Sequence, residues 1–245
     1  MLRAFAGGTL FGERYGEGEP RVLALHGWAR THADFAAVLG GEAPLDAVAL
    51  DLPGFGATLA PPTRWGSPEY ADALVPVLEE TAARVVLCGH SFGGRVAVEL
   101  AARRPERIAG LVLCGVPLYR PPGARARPPI GYRLVRSLAR AGLLGERRLD
   151  AARERYGSAD YRAASGVMRE VLVGVLQERY DAALASIDAP VELVWGERDE
   201  DVPVEVAHRI ADTLAHARLT VLDDVGHLVP SVAPEALRAA IDRLL

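Results

Sequence analysis

Short unbroken apolar runs recur along the chain and alternate with longer segments whose apolar residues return every three or four positions. The runs are Val22 to Leu25, Ala47 to Leu50, Arg84 to Cys88, Ile108 to Cys114, Val191 to Trp195 and Leu219 to Leu222. Continuous hydrophobicity without polar alternation is what strands covered on both faces require. The intervening segments predict helices over His32 to Leu39, Pro68 to Ala82, Phe92 to Ala102, Val204 to Ala215 and Ala233 to Leu244. Strand then helix, repeated, predicts a parallel sheet flanked by helices. Leu2 to Tyr15 alternates weakly around Gly7-Gly8 and predicts an edge hairpin.

One connection is too long for a simple crossover. Pro117 to Pro190 is 74 residues, where a crossover needs a dozen or more. Its helical pattern over Gly131 to Ala141, Arg147 to Tyr156 and Tyr161 to Leu176 predicts an inserted helical cap over 118–187. The core is then 1–117 together with 188–245. There is no internal repeat and no low-complexity tract.

Composition narrows the class. The chain has 245 residues, half of them hydrophobic and a quarter charged, which suits one large globular core. No apolar stretch reaches eighteen residues and Met1 to Gly16 lacks the pattern of an export signal, so neither a membrane span nor secretion is expected. Cys88 and Cys114 sit in apolar runs and are expected to be buried thiols, which suits a cytoplasmic protein. All 28 basic residues are arginine, so chemistry that needs a catalytic lysine or a Walker-type phosphate loop is excluded.

The sharpest local signal is Gly89-His90-Ser91-Phe92-Gly93-Gly94, between an apolar run and a helical one. A strand-to-helix turn this tight exposes a serine where a base can reach it, and it crowds the backbone two residues either side, so glycine is needed there. With 25 glycines and 7 serines in the chain, chance supplies roughly 0.07 such matches. The helix that follows aims free N–H groups at the same point.

Three further segments fit around it. Leu25-His26-Gly27-Trp28 ends an early strand, and the Trp28 N–H with that of Phe92 would meet a developing oxyanion; His26 reads as a structural histidine bonding the loop. After a late strand, Glu197-Arg198-Asp199-Glu200-Asp201 offers a carboxylate to orient a histidine. Glu197, Glu200 and Asp201 compete, and spacing from the strand end favours Asp199. Asp224-Val225-Gly226-His227 places the one histidine on a loop after the last strand. Ser91, Asp199, His227 is the chain order of serine hydrolases with this elbow.

With these segments, and with Asp51-Leu52-Pro53-Gly54-Phe55-Gly56 and Val202-Pro203, the chain resembles the α/β-hydrolase superfamily, in particular its cap-bearing serine esterase and hydrolase branch. The match spans nearly the whole chain except the cap. The resemblance implies an eight-stranded, mostly parallel sheet, a helical cap, a covalent acyl-enzyme on Ser91 and no cofactor or metal. It is similar to small carboxylesterases, including the pimeloyl-carrier-protein methyl esterase type, which share an HGW segment. The expected reaction is hydrolysis of a carboxylic ester or thioester of a small to medium acyl group. Carbon–carbon bond hydrolysis of a ring-cleavage product by the same residues is the alternative, and a non-catalytic binding protein of this fold is a third reading.

Charge bears on partners. Residues 118–187 hold thirteen arginines against seven acidic residues, +6 within a chain of net −4. Arg120, Arg125, Arg127, Arg133, Arg136 and Arg140 open the segment. One reading is a basic cap that attracts an acidic carrier protein; the other is a solvated helical face, and it carries more weight. A nucleic-acid partner is not expected. Trp28, Phe92, Met168 and Leu228 are the expected lining of an acyl pocket.

Overall fold

The computed structural model describes residues 1–119, 137–138, 141–142, 144–145, 147–148 and 159–245. The predicted helices over Gly131 to Ala141 and Arg147 to Tyr156 fall largely or wholly outside these residues, as do the six arginines that open the cap.

Eight strands form one sheet: β1 (Leu2–Phe5), β2 (Leu10–Tyr15), β3 (Val22–Leu25), β4 (Ala47–Asp51), β5 (Val85–His90), β6 (Ile108–Cys114), β7 (Val191–Gly196) and β8 (Ala217–Leu222). Their spatial order is β1-β2-β4-β3-β5-β6-β7-β8. The β1–β2 hairpin joins β4 antiparallel, and every other pairing is parallel. This is the α/β-hydrolase fold.

The helices are α1 (Ala36–Leu39), α2 (Ser67–Leu78), α3 (Phe92–Arg103), α4 (Ala159–Ala163), α5 (Gly166–Val175), α6 (Asp181–Ala185), α7 (Val204–Thr213), α8 (Val229–Val232) and α9 (Pro234–Asp242). Side chains of a strand alternate between faces, and β3 shows the result. Leu23 and Leu25 enter a core with residues of α2, α3 and α7; Val22 and Ala24 enter a second core with residues of α1 and α9. With both faces covered, all four are fully buried, each leucine contributing about 2 kcal/mol.

Several boundaries differ from expectation. The segment His32 to Leu39 opens as a 3-10 turn over His32–Phe35 before α1. The single helix predicted from Tyr161 to Leu176 is two, α4 and α5, because Ser165 is extended and Gly166 is left-handed at φ 51°. Helix α2 stops at Leu78 rather than Ala82. No helix of the described residues is long and apolar enough to cross a membrane. Cys88 and Cys114 are buried and unpaired; burial pushes the Cys88 thiol up to about 12.

Candidate active site

The centre of the sheet presents Ser91. Strand β5 ends at His90 and α3 begins at Phe92, so Ser91 alone makes the turn, with φ 49° and ψ −113°. A non-glycine residue at such angles is strained and persists only where its surroundings fix it. Here they do. A Cβ on Gly93 would stand 2.1 Å from the Leu25 carbonyl oxygen, and one on Gly89 2.5 Å from Gly94 Cα. The Ser91 N–H donates to Cys114 O at 2.9 Å.

Asp199 lies in the turn after β7. The buried Trp195 donates its Nε1–H to Val202 O at 2.8 Å and pins this turn. Asp199 is buried, and its Oδ1 accepts the N–H groups of Asp201 (3.0 Å) and Val202 (2.7 Å). Its Oδ2 stands 2.8 Å from His227 Nδ1. An ionised carboxylate only accepts, so the imidazole carries its proton on Nδ1 and keeps a lone pair on Nε2. Asp201 is exposed and makes no such bond among the described residues, so the geometry separates the two competing aspartates.

His227 follows β8, and its loop is laced to the Asp199 turn. Arg198 N–H donates to Val225 O and Glu197 N–H to Leu222 O, both at 2.9 Å. The ring lies against Gly115, where a Cβ would come within 2.8 Å of it. His90 reaches it from beneath: Nε2–H donates to the His227 carbonyl at 2.9 Å, and the rings lie 4.8 Å apart. Burial is the main cause that pushes His90 down to about 4. Neither His90 nor Gly115 was singled out as a support by sequence reasoning. The glycine directly after a buried strand, in Cys114-Gly115-Val116-Pro117, was the available signal.

Ser91, His227, Trp28 and Leu228 line one cavity of about 510 Å³. No hydrogen bond joins the Ser91 hydroxyl to His227 among the described residues. Such contacts are often long without substrate and close in the reacting complex. Phe92 packs edge-on to Trp28 at 5.5 Å and to Tyr70 at 5.0 Å, and the Tyr70 hydroxyl stands 4.0 Å from Met168 Sδ. Phe92 opens α3, where an N–H has no acceptor within the helix. Among the described residues, none of the turn and loop hydrogen bonds uses the N–H of Phe92 or Trp28.

Other polar residues near the site have structural occupations. His26 donates Nδ1–H to Gly27 O at 2.7 Å and accepts Leu52 N–H on Nε2 at 3.0 Å; burial pushes it down to about 4. Burial pushes Asp51 up, but the amides of Ala57 and His32 and the His32 ring outweigh it, and the net lies below the carboxylate range. One donor atom each from Asp199, Asp201 and His227 lies within 4.8 Å of the others, as metal ligands would. Asp199 and His227 are already hydrogen-bonded to each other through Oδ2 and Nδ1.

The sheet order, the serine elbow and the aspartate–histidine pair together define an α/β-hydrolase. The chain belongs to the alpha/beta hydrolase family, whose model matches residues 22–240. It is 32% identical to a pimeloyl-[acyl-carrier protein] methyl ester esterase of Aromatoleum aromaticum, over 85% of this chain and 91% of that protein. It is 27% identical to a 2-hydroxy-6-oxononadienedioate/2-hydroxy-6-oxononatrienedioate hydrolase of Cupriavidus pinatubonensis, over 86% and 82%. Among solved structures, a thermophilic esterase of Thermogutta terrifontis superposes with TM-score 0.69 at 23% identity, over 99% and 97% of the two chains, a likeness of fold.

Proposed function

We propose that the chain is a serine esterase or thioesterase acting on a small to medium acyl group through an acyl-enzyme on Ser91. The observation that carries the reading is the 2.8 Å contact between Asp199 Oδ2 and His227 Nδ1, on a histidine that shares its cavity with Ser91. His227 Nε2 takes the hydroxyl proton as Ser91 Oγ attacks the acyl carbon. The tetrahedral oxyanion is met by the N–H groups of Trp28 and Phe92. Collapse breaks the bond to the alkoxide or thiolate, which leaves with the proton from Nε2. Water then attacks the acyl-enzyme with the same help from His227, releasing the carboxylic acid and restoring Ser91. Asp199 holds the tautomer and stabilises the imidazolium.

Asp160, Leu172 and Leu176 of the 118–187 insertion line the cavity, which supports a cap in this reading, and the relative's action on a carrier-protein methyl ester supports an acidic carrier as partner for the arginines of that segment. The two buried free thiols support a cytoplasmic location.

A fluorophosphonate probe tests the reading: mass spectrometry should find one adduct, on Ser91, and none in Ser91→Ala. An unlabelled folded protein would sink it. The dienedioate hydrolase relative supports carbon–carbon bond cleavage as a second reading. Faster turnover of a dienoate than of p-nitrophenyl esters would favour that one.

A further inference from the structure

Helix α3 carries a second unusual group one turn after Ser91. Arg95 is only 7% exposed, and its N–H bonds the Ser91 carbonyl at 3.4 Å, so the two residues stand on one side of the helix start. Its side chain lines the same cavity as Ser91 and His227. Nη1 donates to Val175 O at 2.7 Å and Nη2 to Pro117 O at 3.1 Å. Pro117 directly precedes residues 118–187, and Val175 lies within them at the end of α5. The Tyr180 ring lies 5.7 Å from the guanidinium carbon.

Two of the five N–H groups of an arginine are thereby used. Nε is buried and has no partner. No carboxylate pairs with Arg95 among the described residues. Glu178, which shares a neighbouring cavity wall, gives Oε1 to the Ser67 N–H and Oε2 to the Tyr180 hydroxyl. Asp160 and Asp201, on the active-site cavity, are exposed to solvent. Arg30 on the same wall is already held by Asp34 through two bonds of 2.7 and 2.6 Å. Among the described residues, the buried charge of this wall left without a counter-ion is the Arg95 guanidinium.

A buried cation with no counter-ion is costly to keep unless a ligand supplies the anion. Resting on the serine reading above, we propose that the cavity takes an acyl group bearing a second, distal carboxylate, which pairs with Arg95 while Ser91 attacks the ester end. The substrate class is the monoester of a dicarboxylic acid. Arg95 acts on specificity and takes no part in proton transfer.

The test compares monomethyl adipate with methyl hexanoate, which match in acyl length and differ in the terminal carboxylate, with monomethyl succinate and glutarate completing the series. The wild-type protein should prefer a carboxylate ester in kcat/KM by roughly tenfold or more, and the preference should shrink as salt is raised. Arg95→Met should erase the preference, read as the ratio of kcat/KM for the two esters and not as either rate alone. Equal activity of wild type on the two classes would overturn the proposal, a result that does not depend on how the variant folds. An equal fall on both esters in Arg95→Met would overturn it too, leaving Arg95 as a brace between Pro117 and Val175. Failure to hydrolyse any carboxylate ester by protein whose Ser91 still labels refutes this inference alone; failure to label refutes the serine reading as well.

Discussion

Asp199 divides its carboxylate between two tasks: Oδ2 stands 2.8 Å from His227 Nδ1, while Oδ1 accepts the Asp201 and Val202 amides at 3.0 and 2.7 Å. The division dictates what an isosteric change does. In Asp199→Asn the amide oxygen must stay on the two N–H donors, so the NH₂ group faces His227. The imidazole then carries its proton on Nε2 and cannot take one from Ser91. We expect kcat to fall roughly 10³- to 10⁴-fold with melting little changed, and Asp201→Asn to leave the rate nearly intact. Steady-state kinetics with thermal melts reads both, and comparable losses in the two variants would break the assignment.

His90 supports His227 through its backbone. Removing the Nε2–H bond to the His227 carbonyl should loosen the loop that carries His227. His90→Leu should lower kcat about tenfold with KM nearly constant, and His90→Gln, which keeps a donor, should recover part of it. A variant that loses thermal stability and no kcat would assign His90 to packing alone.

The two buried histidines also set an acid limit on stability. His26 and His90 stay neutral in the native state down to about pH 4, from an ordinary value of 6.5, with burial the leading cause. The unfolded chain therefore binds more protons between those values, and stability is lost as pH falls from about 6.5 towards 4. The linkage is worth about 3 kcal/mol for each histidine. Urea melts from pH 7 to 4 should show the decline, and His26→Gln or His90→Gln should flatten it. The Asp51 carboxyl, ordinarily near 3.8 and held lower here, adds to the decline only at the acid end.

At the elbow, Gly93→Ala drives a methyl group to 2.1 Å from Leu25 O, whereas a Cβ on Gly145 meets nothing within 4 Å. We expect Gly93→Ala to cost several kcal/mol and to abolish probe labelling, and Gly145→Ala to do neither. Denaturant melts of the two proteins are sufficient.

The inner strands were legible because burial on both faces writes a continuous apolar run: Val22–Leu25 and Ile108–Cys114 match the expected spans, whereas the run Leu219 to Leu222 lies in the edge strand β8, which is not covered on both faces. Where polar residues join the ladder, the ends were missed. His90 extends β5 by pairing with Cys114, and Ala217 and Arg218 extend β8 along the sheet edge. The α4–α5 break lay in plain view as Ser165-Gly166, a cap-type residue followed by one that tolerates positive φ, but the apolar spacing of Val167, Val171 and Leu172 masked it. For the candidate site, motif order singled out Ser91 and His227, which line one cavity. The supports provided by His90, Gly115 and Arg95 come from contacts between distant elements, which periodicity does not record.

Strand β8 has one neighbour, β7, and none of its residues is fully buried. Ser91 is anchored in mid-sheet, whereas His227 hangs from the loop that this marginal strand delivers. Fraying there would carry His227 away from an otherwise native protein. Mild denaturant should therefore silence turnover well before the core aromatics report any melting.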